Sequence, residues 1–103
     1  MPYAEPLSRK EIEDRLAELP GWELTEDGTA LARTYRLDHL PAAILLLHIA
    51  GIQAELNHHA DLTLGYNTLA VSLTTHAAGA QLTAKDFDLA TRIQAAAEAH
   101  QAA

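Results

Sequence analysis

Polar and apolar positions change rhythm several times along this chain, and each change marks an element. Ser8 stands three residues before Glu11, the spacing of a capping box, and Ile12, Leu16 and Leu19 then recur at helical intervals until Pro20-Gly21 ends the run. A short amphipathic helix is predicted there. From Trp22 to Leu24 and again from Ala30 to Leu37 the pattern turns strand-like, with Glu26-Asp27-Gly28 between them as turn chemistry, so a hairpin follows. Asp38 stands where it can cap a second helix and Pro41 is tolerated in the first turn. Leu40, Ala43, Ile44, Leu47, Gly51 and Ala54 then fall close to one face, with the helix ending near Asn57.

The second half repeats the strand and helix rhythms. Leu62 and Leu64 alternate with polar neighbours, and Gly65 permits a bend. Leu69, Val71 and Leu73 then point to one side of a strand while Thr68, Ala70, Ser72, Thr74 and His76 point to the other. After the small-residue loop from Ala77 to Gln81, Thr83 and Asp86 have capping-box spacing, with Asp in place of the usual Glu. Phe87, Ala90, Ile93 and Ala97 continue as a third helix. The Ala-rich stretch from Ala95 to Ala103 reads as a fraying helix end. The element order is a helix followed by β-β-α-β-β-α. This predicts a single domain over residues 1–103, an α+β two-layer sandwich with an antiparallel four-stranded sheet and helices on one face.

Composition narrows the classes of function. With 14 acidic against 7 basic residues the formal net charge is -7, and the Lys and Arg are scattered, which disfavours nucleic acid or an anionic membrane as a primary partner. The chain has no cysteine, so disulfides, thiolate metal sites and cysteine nucleophiles are excluded. The amino terminus lacks the basic-then-apolar pattern of a secretory signal, and the run from Ala42 to Leu47 is far shorter than the roughly 20 apolar residues that span a bilayer, so a cytoplasmic protein is expected. A chain of 103 residues builds only a modest core, and Leu45, Leu46 and Ile49 add more apolar surface than one helix face can bury, which predicts association with another chain.

The chemistry centres on histidine, whose ordinary pKa of about 6.5 lets it give and take a proton near neutrality. His58 and His59 leave the second helix as a pair, and His76 follows Thr74-Thr75 at the end of a strand. Ends of this kind converge at the rim of a two-layer fold. Thr74 and Thr75 add hydroxyl and backbone groups, Asn57 an amide, and Asp61 a carboxylate that could orient an imidazole, so a polar pocket for a hydrogen-bonding heterocycle is predicted. Against this stands the structural reading, in which histidines at a helix end satisfy its last carbonyls and the negative end of its dipole. A metal site is the other competitor: Glu55 and His58 form Glu-x-x-His, and His59 and His76 could complete a shell. That motif occurs once where bundle di-iron sites use it twice, and an exposed helix carboxylate accounts for Glu55. His48, within the apolar second helix, is expected in the core or at an interface, and His39 and His100 at solvated ends. Trp22 either walls the pocket or anchors the first hairpin.

Asn57-His58-His59-Ala60-Asp61, Tyr66-Asn67, Leu73-Thr74-Thr75-His76 and Leu82-Thr83 with Asp86 and Leu89-Ala90 together resemble the pterin-4a-carbinolamine dehydratases, over nearly the whole chain. The resemblance implies dehydration of 4a-hydroxytetrahydropterin to quinonoid dihydropterin in tetrahydropterin recycling, with no metal or cofactor, the pterin being the substrate. It implies His58 and His76 as general acids toward the 4a-hydroxyl and His59 as pterin contact and base. Asn57, Asp61, Thr74, Thr75 and Ala77 would bind substrate, in a homodimer or homotetramer. Two departures from the family pattern stand out. Ala60 replaces the usual proline after the histidine pair, and the loop from His76 to Thr83 is one residue longer, with Gln81 at the usual glycine. Relatives of this fold also serve as transcription-regulator partners or assembly factors, so a non-enzymatic interaction protein is the alternative.

Overall fold

The Ser8–Glu11 capping box forms as its spacing predicts: the Glu11 amide donates to the Ser8 hydroxyl at 3.2 Å and the Glu11 carboxylate accepts the Ser8 amide at 3.0 Å. The computed structural model describes residues 5–103, and in it this box opens α1, Arg9–Leu16. Ile12 and Leu16 pack on the core from the helix, and Leu19 is buried in the turn beyond it. β1 (Glu23–Leu24) and β2 (Leu31–Arg36) make the hairpin, followed by α2 (His39–Leu56), β3 (Asp61–Leu64), β4 (Thr68–Leu73) and α3 (Ala84–Ala99). A single 3₁₀ turn, His76–Ala78, lies between the last two.

The strands form one antiparallel sheet in the order β1-β2-β4-β3. Register places Leu31 opposite Leu73 and Tyr35 opposite Leu69, so the apolar alternation of both central strands falls on one face, where α2 and α3 pack. The fold is therefore α+β with an open antiparallel sheet of four strands. Gln94 of α3 ties the sheet to the helical layer: its side-chain oxygen accepts from the Tyr35 hydroxyl at 2.6 Å and from the Trp22 indole at 3.1 Å. Trp22 meets the Tyr35 ring edge-on, so it anchors the hairpin and lies away from the histidines. Arg33 lies over the Tyr35 ring and donates to the Pro20 carbonyl, and a Cβ on Gly21 would strike its guanidinium.

Four local expectations differ from the structure. Asp38 occupies the N-cap of α2, yet its side chain makes no cap hydrogen bond; Pro41 at the third helical position has no N–H, which removes one of the two usual donors. The buried face of α2 is Ala42, Leu45, Ile49 and Ile52, while the predicted stripe faces outward, with Leu40 69% exposed, Ile44 50% and Leu47 72%. Apolar residues surround this helix, so periodicity alone does not single out the inner side. Its 18 residues, at a mean hydropathy of 1.3, suit a bilayer by length and composition, but the inner face lies on the sheet and α3. His48 stands exposed on the outer side, its Nδ1 3.0 Å from Nε2 of His100, and His39 lies within 2.9 Å of the Gly65 carbonyl.

The fourth difference concerns the C-terminal end, which is docked. Gln101 takes a left-handed φ of 59°, its amide reaches the Glu98 carbonyl and the Ala102 amide reaches that of Ala97, a Schellman closure. Ala103 and Arg36 then exchange two backbone hydrogen bonds of 3.1 Å, adding a rung to β2.

Burial pushes the Tyr35 phenol from 10.0 up to about 12. Between those values the unfolded chain releases the proton while the folded one keeps it, so stability falls as pH rises through that window. Replacing Tyr35 by Phe should cost about 1 kcal/mol at neutral pH, since Trp22 still serves Gln94, and should flatten the alkaline decline in urea melts.

Candidate active site

The site begins with how α2 stops. Asn57 adopts a left-handed φ of 52° and its amide donates to the Gln53 carbonyl, which turns the chain out of the helix. The turn carries His58 and His59 toward the carboxyl end of β4. That strand ends at Leu73, three residues earlier than its alternation predicts, because Thr75 pairs with Gln81 across the next loop and His76 opens the 3₁₀ turn. The Thr74 hydroxyl donates to the Thr29 carbonyl at 2.7 Å, which fastens this strand end to the first hairpin.

Asn57, His58, His59, Thr74, Thr75, His76 and Ala77 line one open cleft of about 240 Å³, joined by Lys85 from the first turn of α3. Seven of the eight residues singled out in the sequence thus meet at one place. Asp61 does not line the cleft. It begins β3, exposed and paired through its backbone with Ser72. Glu55 is equally removed, its carboxylate 2.7 Å from the Arg92 guanidinium. Among the described residues no three His, Asp or Glu side chains gather as a metal-binding group.

Beneath the cleft lies a carboxylate whose role the sequence did not reveal. Asp86 is fully buried and accepts from three donors: the Thr83 amide at 2.9 Å and the Thr75 hydroxyl at 2.7 Å on one oxygen, and Nε2 of His58 at 2.7 Å on the other. Thr75 spends its single proton on Asp86, so the hydroxyl of Thr83, 2.8 Å away, must donate to Thr75 while accepting the Lys85 amide. Every proton in this network then has one direction. In the sequence Asp86 stood as the capping residue of α3 and within the family resemblance, but not as a partner of a histidine.

The consequence for His58 is a fixed tautomer. An acceptor-only carboxylate on Nε2 requires the proton there, and Nδ1 of the neutral ring becomes the lone-pair nitrogen. The side chain of His58 is only 11% exposed, and its Nδ1 has no hydrogen-bond partner among the described residues. His59 and His76 are both exposed on the cleft wall, without hydrogen-bond partners for their rings among the described residues. The arrangement therefore offers one imidazole held rigidly by a buried carboxylate and two that remain free to meet a ligand. Such a set can deliver a proton at one point of a small heterocycle and remove one at another.

Comparison with known proteins agrees with the fold. Residues 5–96 match the family described as pterin 4 alpha carbinolamine dehydratase. A protein of Streptomyces avermitilis named "Putative pterin-4-alpha-carbinolamine dehydratase" is 54% identical over 99 residues, covering 95% of this chain and 96% of its own. One of the same name from Streptomyces coelicolor is 52% identical over 100 residues, covering 96% and 97%. The crystal structure of a transcriptional coactivator/pterin dehydratase from Brucella melitensis superposes with a TM-score of 0.84 at 27% identity, covering 89% of this chain and 98% of that one. The chain belongs to the pterin 4 alpha carbinolamine dehydratase family.

Proposed function

We propose that this protein is a cofactor-free cytoplasmic hydro-lyase that converts 4a-hydroxytetrahydropterin to quinonoid dihydropterin in tetrahydropterin recycling. The observation that carries the reading is the meeting of three imidazoles in one cleft, one of them locked by Asp86. In this reaction the substrate supplies its own driving group: the lone pair of the ring nitrogen next to the carbinol carbon forms a C=N bond as the C–O bond breaks. An acid must protonate the leaving hydroxyl and a base must take the proton from the ring nitrogen, so that water is the only loss. His76 acts as an acid, and His58 acts as the second once its ring carries a further proton on Nδ1, with Asp86 holding Nε2–H opposite the resulting imidazolium; His59 acts as the base, with Asn57, Thr75 and Ala77 offering polar and backbone groups to the pterin edge. Asp61, outside the cleft, has no part in this scheme, and Thr74 acts through its hydrogen bond to Thr29, as a positioning residue.

A second reading has a specific support of its own. The Brucella relative is described as a coactivator as well as a dehydratase, and the outer face of α2 presents Leu40, Ile44 and Leu47 uncovered by any of the described residues. We assign that face to a homodimer or homotetramer contact, which also makes it the place where a different protein would compete in an interaction role. Leu47→Glu should lower the mass measured by light scattering without unfolding the domain, since Leu47 is 72% exposed.

The enzyme reading is tested by following loss of freshly generated 4a-hydroxytetrahydropterin spectrophotometrically. Acceleration over the spontaneous rate is expected, dropping by about 10² to 10⁴ in His59→Ala or His76→Ala, the usual contribution of one acid-base group. No acceleration by folded wild type would leave the interaction role as the better account. Asp86→Asn is expected to move the His58 ring proton from Nε2 to Nδ1, visible in ¹⁵N spectra of the imidazole, and to slow turnover by roughly 10- to 100-fold as loss of an orienting partner does.

A further inference from the structure

The turn that carries His58 and His59 is fastened from one residue of α2. Gln53 sits in the last turns of the helix, 93% buried by its 7% exposure, and is the one polar side chain on the helix's inner face. Its backbone carbonyl accepts the Asn57 amide and, at 3.3 Å, the His58 amide. Its side-chain oxygen accepts the Ala60 amide at 2.6 Å. The side-chain orientation is fixed by chemistry, since the other end of the amide is NH₂ and cannot receive an N–H. The Ala60 bond closes the loop over both histidines, joining the residue after the pair to the helix before it.

We propose that Gln53 is the positioning residue of the histidine turn, holding His58 and His59 in register with His76 through the Ala60 amide. This deepens the dehydratase reading and rests on it for its kinetic consequence. Asp86 fixes the ring of His58 from below, but nothing among the described residues holds the ring of His59, so its aim depends on the backbone between Asn57 and Ala60. A bond from a buried side chain to that backbone is the constraint available there. Were Ala60 a proline, its ring would set φ and no amide would need an acceptor, so Gln53 and Ala60 together do by hydrogen bonding what a proline does covalently.

The pairing gives a double-variant test. Gln53→Leu keeps a side chain of similar size and leaves the part-buried Ala60 amide without its acceptor. With a folded protein by circular dichroism, kcat for the dehydration is expected to fall by about 10- to 100-fold, the cost of a misplacement of about 1 Å. Gln53→Glu, which still accepts the amide, should lose far less. Gln53→Leu combined with Ala60→Pro removes acceptor and donor together and should recover most of the lost rate, which a general weakening of the core would not do.

A readout independent of catalysis separates the two readings. In wild type the Ala60 amide should exchange with solvent much more slowly than the neighbouring His59 amide, which has no backbone acceptor among the described residues. Equal fast exchange at both amides, or a Gln53→Leu protein with wild-type kinetics, overturns the role of Gln53. Absence of dehydratase activity in wild type overturns the enzyme reading alone, and the exchange of Ala60 then decides whether Gln53 holds the turn.

Discussion

The buried carboxylate of Asp86 is the interaction on which the site depends. Removing an ion from water costs several kcal/mol, and the group is kept only where donors surround it. Here the donors come from three parts of the chain distant in sequence: the α2 exit through His58, the end of β4 through Thr75, and the start of α3 through Thr83. A single side chain thereby fixes the relative positions of the elements that form the cleft. Because no buried polar side-chain atom among the described residues lacks a partner, the network carries no penalty of unmet hydrogen bonds to set against its Coulombic gain.

The same atoms serve folding and chemistry. Thr83 and Asp86 cap α3, an ordinary task at any helix start, and the second oxygen of Asp86 is then free to orient an imidazole. Asp suits this better than Glu, since its shorter side chain keeps the carboxylate against the first turn, where Thr75 also reaches it. On the opposite side, the left-handed Asn57 and the Gln53 side chain do for the end of α2 what the capping box does for the start of α3. The cleft lies between two helix ends, each finished by side chains that also shape the site.

Local signals in the sequence were read where the chemistry was local. Both capping boxes, the first hairpin and the alternation of β4 follow from residue types within a few positions of each other, while the meeting of His58 and His59 with His76 follows from where a helix end and a strand end lie in a two-layer fold. What stayed hidden required contacts across the fold. The outward stripe of α2 passed for its core face because Leu45, Ile49 and Leu47 are equally apolar, and only packing against β4 decides between them. The Ala-rich end looked frayed because alanine carries no signal of docking, whereas its anchorage is all backbone, to Arg36. Asp61 seemed suited to orient a histidine by proximity in sequence. Asp86 does so from 28 residues away, and a separation of that kind is invisible until the strand end and helix start are brought together.

The unequal restraint of the three histidines bears on how such a site would work. His58 is 11% exposed with one nitrogen already bonded, so its rotamer and tautomer are set before any ligand arrives. His59 and His76 are exposed with no ring partner among the described residues, so holding each against a ligand costs about 0.5 to 1.5 kcal/mol. A pterin ring, with donors and acceptors along one edge, can offset that cost through the backbone groups beside Asn57 and Ala77. The open cleft then fits a substrate that supplies its own lone pair for the elimination. Under the proposed dehydration the protein would have to place protons at two points, and a rigid first imidazole with two exposed ones would do so without enclosing the reaction.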